Sequence, residues 1–375
     1  MKILSVVGAR PNFMKIAPLI REIRKHSDMQ SYLVHTGQHY DVKMAGAFFD
    51  DLQIPLPDVC LEVGSGSHAF QTAEVMKRLE PILERERPDM VMVVGDVNST
   101  MAAALTAVKL HIPVAHVEAG LRSFDRAMPE EINRVVTDAV SEFLFVTEES
   151  GLRNLEAEGV DRGRIFFVGN VMIDSLEASR KLWKNSTVLD RLQLKKGEYG
   201  VVTLHRPSNV DNPVVLKGLV GALAVVAGTY PIIFPIHPRT KKILESMEEC
   251  KAMVASARTV PGPTGVFCMD PIGYLEFMCL VSNAKLVLTD SGGIQEETTV
   301  LGIPCLTLRD NTERPVTVTH GTNRVIGSSP DRVVSEAMKA VESARYAAAA
   351  PPLWDGHASE RIVAVIRQCV RRAVS

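Results

Sequence analysis

The sequence predicts an α/β protein made of two Rossmann-like domains facing a central cleft. Three observations predict it. Short, β-branched apolar runs alternate with longer segments of helical period along the chain. The 375 residues make about two domains at roughly 100 to 200 residues each. Charged and glycine-containing turns follow directly on the apolar runs, the edge where open α/β sheets place their ligands.

The elements run in order as follows. Lys2 to Val7 reads as a strand, Ile16 to Lys25 as a helix, Tyr32 to Thr36 as a strand, Ala69 to Arg87 as a helix and Met90 to Val94 as a strand. The rhythm continues through the helix Met101 to Leu110, the strand Pro113 to Val117, the helix Glu130 to Ala139 and the strand Phe143 to Val146. Near-continuous apolar strands of this kind are buried on both faces of a parallel sheet. A second series starts after the Val168, Gly169, Asn170 turn and a charged stretch from Lys181 to Glu198. Its strands are Tyr199 to Thr203, Ile232 to Phe234, Leu286 to Thr289 and Pro304 to Leu308; its helices are Asn212 to Val226, Tyr274 to Val281 and Gly293 to Leu301. Residues 1–169 are therefore expected to form the first domain and 170–357 the second. After a helix from Pro330 to Tyr346 and the Pro351, Pro352 hinge, a last helix over 358–375 is expected to return to the first domain.

Composition excludes several classes. Hydrophobic residues make up 46% and charged residues 23%, which fits neither a disordered nor a fibrous chain. Lys plus Arg is 42 and Asp plus Glu 44, a net charge of −2, with a pI near 6.6. Without a broad basic surface, nucleic acid and anionic membrane are not expected partners. The apolar run Leu219 to Ala227 contains Gly221 and falls far short of the about 18 to 20 residues that span a bilayer. One Lys followed by Ile3 to Val7 lacks the long apolar region of a secretion signal, so the start reads as a strand and the protein as cytoplasmic. Six cysteines without a C-x-x-C motif read mostly as buried free thiols. No metal-ligand spacing is visible, so no metal is expected.

The chemistry-bearing residues fall at strand ends. Gly8 to Asn12 follow the first strand, with Arg10 and Lys15 at the helix start; backbone N–H groups and two cations there suit a phosphate or carboxylate, or the cations are simply solvated. No G-x-G-x-x-G follows that strand, which argues against bound NAD. Asp96, Glu118 and Glu130 end the next strands or open the next helix, with Glu131 beside them. Carboxylates gathered at one edge repel, so burial separates their pKa values into acid and base roles. The plainer readings are a helix cap for Asp96 over Asn98, Ser99 and Thr100, and a favourable helix-start charge for Glu130 and Glu131. His205 and Arg206 occupy the corresponding edge of the second domain, as His237 does less clearly. Asp290 to Glu297 reads DSGGIQEE: Ser291, Gly292 and Gly293 open a helix on which a diphosphate fits. Glu296 and Glu297 suit ribose hydroxyls, with Arg309 and Arg314 after the next strand.

Together these stretches resemble the non-hydrolysing UDP-N-acetylglucosamine 2-epimerase family. The matching motifs are GARPNFMK (Gly8 to Lys15), GQHYD (Gly37 to Asp41), GDVNST (Gly95 to Thr100), HVEAGLR (His116 to Arg122), PEEINR (Pro129 to Arg134), His205 with Arg206, DSGGIQEE and TERP (Thr312 to Pro315). They cover nearly the whole chain in the family's order. The resemblance implies a glycosyltransferase-B-like fold, a homodimer, and interconversion of UDP-N-acetylglucosamine and UDP-N-acetylmannosamine through 2-acetamidoglucal, with no cofactor. It implies Asp96, Glu118, Glu130 and His205 as catalytic residues. It implies Arg10, Lys15, His205, Ser291, Gly292, Gly293, Glu297 and Arg314 as contacts of UDP. Gln38 and His39 match the motif of substrate-activated members, but Met44 follows later than in those. HRPSN stands where many bacterial members have HRRE, pointing to a branch with another C3 or C6 substituent on the sugar. A hydrolysing epimerase releasing N-acetylmannosamine, a glycosyltransferase of the same fold and a UDP-sugar sensor are the competing readings.

Overall fold

A computed structural model describes residues 1–37, 56–248, 250–251, 260–342 and 350–374. The chain divides into two compact units, Met1–Ala178 with Pro352–Ser375, and Ser179–Pro351.

Unit 1 is built on a parallel sheet of β1 (Lys2–Val7), β2 (Gln30–His35), β3 (Val59–Cys60), β4 (Met90–Val94), β5 (Val114–Ala119), β6 (Phe143–Val146) and β7 (Ile165–Phe167). Their spatial order is β3-β2-β1-β4-β5-β6-β7, so the winding reverses between β1 and β4, the switch point where α/β sheets bind ligands. Every residue of β4 and β5 is buried, as a central strand covered on both faces requires. Helix α1 (Arg10–Arg24) follows β1, α2 (His68–Glu86) precedes β4, α3 (Asn98–Lys109) follows it, and α4 (Pro129–Val140) follows β5. α3 presents Ala102, Ala103, Ala104 and Ala107, all 0% exposed, and these small side chains let it lie close on the sheet beside Leu4, Val6, Val91 and Val93. α1 begins at Arg10, earlier than the periodicity suggested, because Pro11 fits the first turn of a helix.

The last helix, α9 (Ala358–Val374), packs against α1. Its first turn is capped from a distance: Asp174 accepts from Ala358 N at 3.1 Å and Ser359 N at 2.7 Å. Ile362, Val363 and Ile366 are fully buried, each contributing about 1.5–3 kcal/mol.

Unit 2 has β8 (Gly200–Thr203), β9 (Ile232–Pro235), β10 (Val266–Met269), β11 (Leu286–Thr289), β12 (Cys305–Thr307) and β13 (Asn323–Val325). The order β10-β9-β8-β11-β12-β13 repeats that of the first six strands of unit 1. α5 (Pro207–Val210) and α6 (Pro213–Ala227) follow β8, α7 (Tyr274–Asn283) precedes β11 and α8 (Gly292–Leu301) follows it. α6 buries Leu216, Leu219, Leu223 and Val226 against Val202, Phe234 and Leu288. The strands that periodicity did not reveal, β3, β7, β10 and β13, are at most four residues long. Among the cysteines, Cys60 is exposed, unlike Cys250, Cys279 and Cys305. No helix among the described residues is long and apolar enough to cross a membrane.

Candidate active site

In unit 1 the candidate residues collect at the carboxyl ends of β1, β4 and β5. Glu118 lies where β5 slips register against β6, between Val117 and Ala119, and has φ 74°. Bulges of this kind re-aim side chains, and the left-handed region is a strained one for a glutamate. The glutamate is 3% exposed and its Oε2 meets Lys15 Nζ in a short ion pair. Gly95, φ 70°, ends β4 against this pair: a Cβ there would lie 2.9 Å from Lys15 Nζ. Only glycine leaves room for the ammonium.

Asp96 is more open, with its side chain 28% exposed, and Arg134 Nη1 bonds its Oδ2 at 2.5 Å. The plainer reading of Asp96 as a helix cap does not hold. α3 starts from Val97 with no side-chain cap, because the buried Arg134 draws the carboxylate toward α4. The same guanidinium donates to Glu131 Oε2 from Nε at 3.0 Å and Nη2 at 2.6 Å. Glu131 also accepts from Ser123 N at 2.9 Å and Phe124 N at 3.0 Å. Burial acts to raise the pKa of Glu131, but the Ser123 bonds and Arg134 outweigh it and hold the carboxyl below its ordinary value. Glu130 is half-buried in the first turn of α4.

The turn after β1 is held by a side chain of the helix it opens. Gly8 N at 3.3 Å and Ala9 N at 3.0 Å donate to Asn12 Oδ1, whose Nδ2 donates to Val94 O at 2.9 Å. These N–H groups are therefore engaged by the protein itself, as is Lys15. Arg10 opens α1. Gln38, His39 and Met44 lie outside the described residues.

In unit 2, Asp290 is fully buried at the end of β11 and accepts from His205 N at 3.0 Å, Arg206 N at 2.9 Å and Asn209 Nδ2 at 3.2 Å. His205 Nδ1 stands 2.7 Å from its Oδ1, while the imidazole is 45% exposed. Burial acts to raise the pKa of Asp290, but His205 and the backbone N–H groups hold it below the usual range. An ionised carboxylate fixes Nδ1 as a donor and turns Nε2 outward. Ser291 precedes α8 without capping it by its side chain, so the helix start is left to Gly292 and Gly293. A Cβ on Gly292 would lie 2.9 Å from Glu313 Oε1. Glu313 is bonded by Arg309 Nη2 at 2.8 Å, with Arg206 Nη2 at 3.9 Å. Although burial opposes it, Arg314 and Arg309 depress the Glu313 pKa to about 2.

Glu297 and Arg314 are both buried. Tyr274 Oη donates to Glu297 Oε1 at 3.1 Å, and Arg314 Nε bonds Glu296 Oε1 at 2.5 Å. His237 is exposed after β9. Sequence reasoning missed Arg134 and Glu313. The available signal was the Glu131, Arg134 spacing, one helical turn, and the Arg309, Glu313 spacing of four. Among the described residues no cluster of His, Cys, Asp and Glu is placed to hold a metal ion.

Comparison with known proteins gives the family. The family model described as UDP-N-acetylglucosamine 2-epimerase matches residues 21–367. A UDP-N-acetylglucosamine 2-epimerase homolog of Methanococcus maripaludis is 46% identical over 372 residues, 98% of this chain and 99% of its own. The UDP-2,3-diacetamido-2,3-dideoxy-D-glucuronate 2-epimerase of Pseudomonas aeruginosa is 40% identical over 340 residues, 90% of this chain and 91% of its own. The crystal structure of Methanocaldococcus jannaschii UDP-GlcNAc 2-epimerase in complex with UDP-GlcNAc and UDP superposes with a TM-score of 0.89 at 41% identity, covering 98% of this chain and 100% of that one. Fold, motifs and relatives agree, and the chain belongs to the UDP-N-acetylglucosamine 2-epimerase family, a family of isomerases with a glycosyltransferase-B-like fold.

Proposed function

We propose that this chain interconverts UDP-N-acetylglucosamine and UDP-N-acetylmannosamine by eliminating UDP across C1 and C2 and adding it back with the opposite configuration at C2. The observation that carries the reading is Glu118, a buried carboxylate on a bulged, left-handed backbone beside Lys15. A carboxylate with a purely structural role has no need of that strain.

The C2 hydrogen is not acidified by a carbonyl, so the reaction begins at C1. The C1–O bond breaks with its electron pair going to UDP, and a carboxylate takes the C2 proton, leaving the C1=C2 bond of 2-acetamidoglucal. In return a proton reaches C2 on the other face and UDP adds to C1. Asp96, Glu118 and Glu130 are assigned the base, acid and charge-stabilising roles. His205, oriented by Asp290, is assigned the diphosphate through Nε2. Ser291, Gly292 and Gly293 are assigned the diphosphate at the α8 N-terminus, Glu297 the ribose, and Arg10, Lys15 and Arg314 the remaining UDP contacts. Elimination and addition bring no net redox change, so the route calls for no nicotinamide. A homodimer working in the cytoplasm completes the reading.

A second reading has the same chemistry on a UDP-sugar with further C3 and C6 substituents. The HRPSN motif and the 40% identity to the diacetamido-glucuronate epimerase favour it. Incubation with each UDP-sugar alone, followed by proton NMR, tests both: an equilibrium of two UDP-sugars is expected. Free N-acetylmannosamine with stoichiometric UDP would instead indicate hydrolysis, and turnover only after an acceptor is added would indicate a transferase.

A further inference from the structure

We propose that Asp138 is a positioning residue for this reaction, holding the strained backbone on both sides of Glu118 through His116 and Gly120. The inference rests on the reading of Glu118 as a reacting group. A strained conformation persists only where its surroundings over-determine it, and here those surroundings converge on one carboxylate. Asp138 lies on α4, 1% exposed. Its Oδ2 accepts from Gly120 N at 3.0 Å, two residues after Glu118. Its Oδ1 stands 2.6 Å from Nδ1 of His116, two residues before Glu118. His116 is itself fully buried, and its Nε2 meets Gly95 O at 2.8 Å. Gly95 is the residue whose open face leaves room for Lys15 Nζ.

Both ring nitrogens of His116 thus meet oxygens, one of the Asp138 carboxyl and one of the Gly95 carbonyl, so the ring ties Asp138 to the backbone at Gly95. Arg122 completes the group: its Nη1 donates to Asp138 Oδ2 at 2.7 Å, while Nε and Nη2 hold Glu158 at 2.8 and 2.7 Å. Burial acts to raise the Asp138 pKa, and His116 with Arg122 outweighs it, so the carboxyl stays ionised. A buried ion pair that merely fills space is replaceable by apolar groups. This one ends on two backbone groups, one at Gly95 and one at Gly120, that fix where Glu118 and Lys15 meet.

Asp138→Asn tests the proposal, because the amide keeps the size but carries no charge and offers a single oxygen, which cannot serve Gly120 N, Arg122 and His116 Nδ1 together. Initial rates by proton NMR and UDP binding by calorimetry are measured on the whole protein. The expected result is a kcat lower by about 10- to 100-fold, the range a displacement near 1 Å produces, with KM and UDP Kd within about twofold. Asp138→Glu, which restores the charge, should recover part of the rate. A kcat within twofold of wild type overturns the proposal. So does a parallel loss of turnover and UDP affinity, which is the mark of general loosening. If Asp138→Asn does not fold, His116→Gln, which breaks the tie from Asp138 to Gly95, decides: kcat should fall with UDP Kd within about twofold, and a rate within twofold of wild type overturns the proposal. A wild type that epimerises no UDP-sugar defeats the functional reading instead. Amide exchange of Gly120 in Asp138→Ala, which removes the acceptor of Gly120 N, then still tests the positioning, supporting it if faster and overturning it if unchanged.

Discussion

Gly95→Ala isolates the contact that sets Glu118 against Lys15. Gly95 has φ 70°, and an L side chain in the left-handed region costs about 1–2 kcal/mol. The added methyl brings a second cost, because it would lie 2.9 Å from Lys15 Nζ, 3.3 Å from Asn12 Nδ2 and 3.5 Å from Glu118 Oε2. The ammonium must move by a few tenths of an ångström at least. The Lys15 and Glu118 side chains are 10% and 2% exposed, and breaking such a buried pair outright costs about 3–5 kcal/mol. Stretching it forfeits a fraction, about 1–2 kcal/mol, and brings the total to about 2–4 kcal/mol. Gly159→Ala is the control: φ is 77° there and nothing lies within 4 Å of the added carbon, so only the backbone cost applies. Denaturant unfolding should therefore show Gly95→Ala about 1–2 kcal/mol less stable than Gly159→Ala. Turnover should fall about 10- to 100-fold in the first and stay unchanged in the second. Equal stabilities, or a folded Gly95→Ala with the wild-type rate, would refute the steric argument.

Glu118→Gln should lower turnover by about 10²- to 10⁴-fold while UDP affinity, read by calorimetry, stays near wild type; lost UDP binding in a folded variant would show that its role had been misassigned. Arg314→Ala withdraws the guanidinium from buried Glu296 and should cost about 3–5 kcal/mol of unfolding free energy as well as UDP affinity; stability unchanged in denaturant would count against the pair. Glu313, with its pKa depressed from 4.5 to about 2, contributes stability that is present in full above 4.5 and lost as pH falls toward 2, on the order of 3 kcal/mol. The stability gap between wild type and Glu313→Gln should accordingly narrow from pH 6 to pH 3, and a gap independent of pH would contradict the depressed value. Product formed in D₂O should carry deuterium at C2, because a carboxylate holding the proton exchanges it with water; product without deuterium would exclude the elimination route.

Local pattern reached as far as local physics extends. Lys2–Val7, Met90–Val94, Phe143–Val146 and Leu286–Thr289 have the bounds that their apolar runs predict. Val59–Cys60 and Asn323–Val325 carry too few apolar residues for a period to show. The candidate carboxylates were legible as polar residues at strand ends, but their partners were not. Lys15 and Glu118 are 103 residues apart, Asp96 and Arg134 38 apart, and His205 and Arg206 reach Asp290 across 85 and 84. Only the sheet order brings such pairs together. That is why Asp96 reads locally as a helix cap and structurally as half of an ion pair.

The two sheets share a strand order, yet their switch points are finished differently, and the difference bears on where a diphosphate belongs. After β1, Asn12 Oδ1 takes the Gly8 and Ala9 N–H groups and Glu118 takes Lys15. An anion arriving there would have to displace both. After β11, Ser291 leaves the α8 start uncapped by its side chain, and Asp290 turns instead to the backbone of the β8 turn. Arg309 and Arg314 lie in the segment that follows β12. A helix start without a side-chain cap favours a diphosphate. In the elimination proposed above, the carboxylates of unit 1 would serve C1, where positive charge would develop as the glycosidic bond breaks. The two turns thus differ in how their backbone N–H groups are satisfied, by a side chain after β1 and by none at the start of α8, which supports the diphosphate role proposed for Ser291, Gly292 and Gly293.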